Sequence, residues 1–257
     1  MPHIMAITLM IIWSLSYLSI KVIAEEVSPT LSAFYRFALA AIILFIILKV
    51  KYPEEKILKE DKFKLFLGGV FGIAIYFIFE NYAVAYTSAS NVAILIASKE
   101  RVSLFSKGSI GDLMTLGAVF SWIIYNMVCS NFKGNYKSIT ITTYQVMWGA
   151  LLLSPSLFFS TLQIPSTKVV LNIAFLAIFC SCIGYIVYVY CLKELGATII
   201  TTYINLQPIM SIIAAAIIIK EAITIWQVIG CIVIIMGVSL VSFDGKFNFR
   251  KTKVAAI

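Results

Sequence analysis

Apolar residues fall along this chain in long unbroken runs, not in the three- or four-residue stripes of a helix lying on a soluble core. The runs predict helices at about 4–24, 29–48, 65–86, 112–130, 139–159, 169–192, 198–219 and 225–243. Each is close to the roughly 20 residues needed to cross a hydrocarbon layer about 30 Å thick. The polar positions gather between the runs. There the chain reads Glu25-Glu26-Val27-Ser28-Pro29, Gln163-Ile164-Pro165-Ser166 or Leu195-Gly196-Ala197, all rich in turn and breaker residues. The first run is too long for the core of a signal peptide and has no small-residue cleavage site after it, so it reads as a membrane helix.

Composition extends the same picture. Of 257 residues, 61% are apolar and 12% charged, against ~45–50% and ~25% in a globular domain. The pattern and composition together predict an all-α polytopic membrane protein with no soluble domain. The net charge of +8 would in another chain point to nucleic acid. Here seventeen of the twenty bases are Lys, and most sit in short loops, which is the positive-inside signature of a membrane protein. Lys49, Lys51, Lys56, Lys59, Lys62 and Lys64 crowd the loop 49–64, and Lys246, Arg250, Lys251 and Lys253 the tail. Both regions belong in the cytoplasm, whereas the loop with Glu25 and Glu26 suits the outside. Both termini are therefore expected in the cytoplasm of a cell whose plasma membrane the chain crosses an even number of times.

Enzymatic readings fare badly. The only His is His3, and the five Cys lie in apolar runs without metal or disulfide spacing. Neither a Gly-rich phosphate loop nor an HExxH or GxSxG motif occurs. No catalytic residue, metal or cofactor is expected; the partners expected are a small-molecule solute and the lipid bilayer.

The chain also repeats itself. Trp13 in LMIIWSLSY aligns with Trp122 in GAVFSWIIY, Ser28–Arg36 with Ser138–Val146, and YAVAYTSAS from Tyr82 with YCLKELGAT from Tyr190. The offsets are 109, 110 and 108 residues. Two units of five helices would enter the membrane from opposite sides, the inverted repeat of secondary transporters. Trp13 with Ser14 and Tyr17, the segment SAFYRF ending at Phe37, YAVAYTSAS, and LQPIMSIIAAAIIIKEAIT followed by IGCIVIIMGVSLVS together resemble the EamA-type permeases of the drug/metabolite transporter superfamily. The resemblance covers essentially the whole chain. It implies a five-plus-five bundle exporting small metabolites such as amino acids by alternating access.

One departure stands out. Asn205–Pro208 is followed by a full helix, Lys220-Glu221 and a last helix, but Asn91–Ser98 runs straight into Lys99-Glu100. About 30 residues, most of a fourth helix and all of a fifth, are absent by the repeat arithmetic. Eight full spans plus a stub at 91–98 are expected, in an incomplete first repeat 1–107 and a second repeat 108–257. The alternative function is a transport-incompetent truncated paralogue or membrane scaffold, stable as a homodimer in which a neighbour covers the gap.

Charges inside apolar runs are costly and so are functional candidates. Glu80 is a candidate coupling site or counter-charge, unless it merely reaches water at the helix end. Arg36 is a fork suited to a carboxylate, unless it snorkels. Among uncharged groups, Asn91, Gln145, Asn205 and Gln207 either glue helices or line a path. The repeat-related aromatics Trp13, Tyr17, Trp122 and Tyr144 line a cavity or pack the bundle. These ten are the substrate-binding candidates. Pro208 marks a possible broken helix.

Overall fold

The computed structural model describes residues 1–86, 107–160 and 165–218, with separate positions between 220 and 236. Among these residues it is an all-helical bundle. α1 is Pro2–Ile23, α2 Pro29–Lys51, α3 Lys59–Tyr86, α4 Lys107–Cys129, α5 Ser138–Leu153, the short α6 Ser156–Phe159, α7 Thr167–Leu195, α8 Ala197–Ile204 and α9 Gln207–Ile218. α1, α2, α3, α7 and the combined Ala197–Ile218 segment are each long and apolar enough to cross a membrane. The stub at 91–98 lies outside the described residues, and so does most of the expected last span.

Several boundaries differ from the sequence expectation for definable reasons. α3 starts at Lys59, not 65, because the polar turn before the apolar run is itself helical, with Glu60 and Asp61 in its first turn, where acids complement the helix dipole. α4 likewise begins at Lys107. The expected helix 139–159 stops at Leu153, just before Pro155, which lacks the N–H and crowds the preceding turn; Ser154 and Pro155 form a turn, and α6 follows. The expected helix 198–219 breaks at Asn205 and Leu206, and Pro208 sits in the first turn of α9. A proline is well tolerated there.

Two features of the bundle were not anticipated. α3 and α7 each contain a π-helical stretch, Val70–Ile75 and Leu176–Ile183. Shifted by the repeat offset of 108, the first falls on residues 178–183, inside the second. A π turn widens the helix and loosens its carbonyls from their usual partners.

α1 packs on α7, α8 and α9, α3 on α4 and α5, and α2 on α3, α5 and α7. Large apolar side chains remain exposed along one face of α4 (Leu113, Phe120, Met127) and on α2 (Ile42, Phe45, Ile46). Faces of this kind are sheltered by lipid, not water.

Candidate functional site

At the centre, α1 brings Trp13 against its repeat counterpart Trp122 on α4. The rings meet edge to face, 5.8 Å apart at 83°. Tyr76, Tyr125, Tyr185 and Tyr188 complete the cluster, with Tyr76 4.9 Å and Tyr188 5.1 Å from Trp122. Each aromatic pair adds about 0.5–1.5 kcal/mol beyond its buried area, so the cluster stabilises the contact between α1, α3, α4 and α7.

The two tryptophans are not equivalent. Trp13 Nε1 donates to the Cys180 carbonyl, in the π turn of α7, at 3.0 Å. It can do so because Gly184 lies beneath it: a Cβ there would sit 2.6 Å from Trp13 Nε1. The repeat counterpart of Gly184 is Tyr76, whose ring centre lies 4.9 Å from that of Trp122, and the carbonyl equivalent to that of Cys180 is Gly72's. That carbonyl instead accepts the Tyr185 hydroxyl at 2.7 Å. Trp122 Nε1 is buried with no partner among the described residues.

Arg36 and Glu80 face the same centre. Arg36 is 3% exposed; its Nε donates to Ser181 Oγ at 2.7 Å, and its guanidinium carbon lies 4.4 Å from the Phe77 ring centre. Its Nη1 has no partner among the described residues. Glu80, 8% exposed, accepts the Tyr76 hydroxyl on Oε1 at 2.9 Å, and its Oε2 is unpartnered. The ion pairs found among the described residues all lie elsewhere, so Arg36 and Glu80 are not bonded to each other.

These groups line one cavity with Trp13, Ser16, Tyr185 and Gln207. Its volume of about 20 Å³ is room for one water; the conformation is closed around its centre. Two unpartnered donors, Arg36 Nη1 and Trp122 Nε1, and one unpartnered acceptor, Glu80 Oε2, belong to its walls. A buried polar group left without a partner costs about 1–3 kcal/mol, more when charged, so three around one space need an explanation other than packing.

The remaining candidates are dispersed. Gln207 lines the cavity, with its Nε2 3.4 Å from the Tyr17 hydroxyl. Gln145 is fully buried but elsewhere, accepting from Tyr125 and donating to Cys129 Sγ. Tyr144 packs on a smaller apolar cluster around Leu65 and Ile141. Asn205 is exposed at the break before α9. Asn91 lies outside the described residues. Sequence reasoning missed Ser16, Tyr76, Phe77 and Tyr185; Phe77 and Tyr185 are related by the 108-residue offset, and that signal was present in the chain.

Both ends of the bundle are fastened. Where α1 turns into α2, the Ser166 backbone N–H and hydroxyl donate to the Glu26 carboxylate at 2.8 and 2.6 Å, and the Ser28 and Ser160 hydroxyls are 3.0 Å apart. The Ser166 hydroxyl and then its N–H hold the Glu26 carboxyl below its ordinary value. At the opposite end the buried Asp61 accepts from the Lys133 and Gly134 backbone N–H groups and the Tyr136 hydroxyl, at 2.9–3.1 Å. The Leu58 N–H donates to that hydroxyl at 3.1 Å. The Ser166–Glu26 and Leu58–Tyr136 contacts fall at repeat-related positions.

A model of the EamA-like transporter family matches residues 1–103 and again 109–243. An uncharacterized transporter of Archaeoglobus fulgidus is 27% identical over 277 aligned residues, covering 93% of this chain and 96% of its own. The uncharacterized transporter YyaM of Bacillus subtilis is 26% identical, with 82% and 83% covered. A solved crystal structure superposes with a TM-score of 0.68 over 96% of this chain and 98% of that one; at 15% identity the likeness is one of fold. A polytopic helical bundle, with the family's sequence pattern in both halves, places this chain in the EamA-like transporter family of membrane proteins.

Proposed function

We propose that the protein exports a small amphoteric organic solute of the amino-acid kind across the plasma membrane by alternating access. The two halves, 1–107 and 108–257, rock about the central cavity, with both termini in the cytoplasm. What supports this most is the trio of unpartnered groups: Arg36 Nη1 and Trp122 Nε1 as donors for a carboxylate, and Glu80 Oε2 as acceptor for an ammonium. Aromatic rings beside them suit an apolar side chain. Trp13, Tyr17 and Gln207 complete the binding surface. The closed cavity admits no such solute, so one fastened end must open to load it and the other to release it.

The test is intrinsic fluorescence, because two of the four tryptophans stand at the cavity. Titration with a panel of amino acids is expected to give a saturable change with at least one of them, moved to roughly ten- to hundredfold higher concentration in Arg36→Gln. A flat response across the panel, or one that Arg36→Gln leaves intact, contradicts the proposal.

A second reading is favoured by chain length. The alignment with the Archaeoglobus protein runs over 277 residues yet uses only 93% of this 257-residue chain. The relative therefore carries a few tens of residues that this chain lacks. A transport-incompetent scaffold, paired with a second copy of itself, would show the fold without solute-dependent fluorescence.

A further inference from the structure

A second, larger cavity of about 550 Å³ lies at the end of the bundle that carries the N-terminus. It is a cleft between α1 and α2, walled by Met5 and Ile47 and floored by Ile186 and Tyr190 of α7. It does not belong to the central site. The residues α7 turns to the centre are Ser181, Tyr185 and Tyr188, all buried; Ile186 and Tyr190 are half-buried and stand on another face.

The cleft has an apolar body and a cationic rim. Lys51, Lys137 and Lys193 line it, and no acid does. None of the three is in an ion pair among the described residues. They are nevertheless positioned: the Lys137 ammonium lies 3.7 Å from the Tyr52 ring centre, and that of Lys193 donates to the Tyr136 carbonyl. The nearby Glu55 accepts from the Lys137 N–H and the Thr140 hydroxyl.

We propose that this cleft binds an anionic phospholipid, its phosphate among Lys51, Lys137 and Lys193 and an acyl chain along Ile47 and Ile186. Three cations above an apolar slot, at the level where helices end, match a molecule with a negative head and a hydrocarbon tail. A zwitterionic lipid offers the same tail without net charge. A water-soluble anion offers the charge without a use for the slot.

Native mass spectrometry of the intact chain in mild detergent tests this without any transported solute, so it stands or falls apart from the export proposal. Phosphatidylglycerol and phosphatidylcholine with identical chains are added stepwise. Phosphatidylglycerol is expected to bind about tenfold or more tightly than phosphatidylcholine, and K51Q/K137Q/K193Q to erase the difference. Ile186→Trp, which fills the slot and keeps every charge, is expected to weaken binding of phosphatidylglycerol and serves if the triple variant fails to fold. Inorganic phosphate at millimolar concentration should not displace the lipid. Equal binding of the two lipids, a preference that survives both variants, or displacement by phosphate alone overturns the assignment.

Discussion

At the residue scale the cavity is defined by polar atoms without protein partners, and the predictions follow from what each would lose. A hydrogen bond from a charged group contributes about 1.5–3 kcal/mol, so Arg36→Gln should raise the half-saturating solute concentration roughly ten- to hundredfold. Arg36→Lys should recover part of this, since it keeps the charge and loses the fork. Solute titration of both variants checks it, and an unchanged affinity in Arg36→Gln would remove this residue from the site. The repeat-related tryptophans give a sharper contrast. Trp13→Phe breaks a bond to the Cys180 carbonyl and should lower stability by about 1 kcal/mol on that account. Trp122→Phe breaks no such bond and should act on solute affinity instead; thermal unfolding and titration of the pair separate the two effects. Arg36 and Glu80 were legible in the sequence because a charge inside an apolar run has few innocent explanations. Tyr76 was not, because with 13 Tyr and 18 Phe in the chain no single helix says which ring turns inward; Phe77 and Tyr185 were marked only by their repeat relation. Gln145 shows the converse: a buried amide satisfied by Tyr125 and Cys129 is packing, and nothing local distinguishes it from a path-lining group.

At the element scale the helices were legible from uninterrupted apolar runs, and the ends misjudged were those where a polar turn remained helical, as at Lys59–Lys64, or a proline cut a run short, as at Pro155. The π stretches were not legible. A π turn keeps the apolar pattern and changes only which carbonyl each N–H meets, which hydropathy does not register. Their repeat relation nevertheless explains why an indole from one half and a phenol from the other each find a carbonyl in the opposite π turn. Gly184 is the point at which this arrangement is most sensitive. A methyl group there meets Trp13 Nε1 at 2.6 Å, so Gly184→Ala should destabilise the protein by about 1–3 kcal/mol through overpacking and shift the Trp13 emission. A thermal midpoint equal to the parent's would show that α1 and α7 are not packed as described.

At the scale of the whole molecule, the family and bundle were legible through the repeat, but the closed state was not, because it depends on contacts between loops far apart in sequence. The end fastened by Glu26 and Ser166 has a predictable pH response. Hydrogen bonds from Ser166 depress the Glu26 carboxyl, so the contact is fully present above the ordinary carboxylate value of about 4.3. It is lost as pH falls through the depressed one. Spin labels at Glu25 and Phe159 should report a distance distribution that broadens over that acidic window. Glu26→Gln should be broad at neutral pH as well; a distribution indifferent to both pH and Glu26 would mean that this contact does not hold the end closed. Whether a solute crosses between the two halves through the cavity of Arg36, Glu80 and Trp122 is decided by flux in proteoliposomes. The purified chain, loaded with a radiolabelled amino-acid panel, is predicted to give saturable efflux of at least one member, strongly reduced at sub-saturating solute by Arg36→Gln and by Glu80→Gln. Correctly folded protein that gives no saturable flux with any member, or flux indifferent to both substitutions, would contradict the proposal.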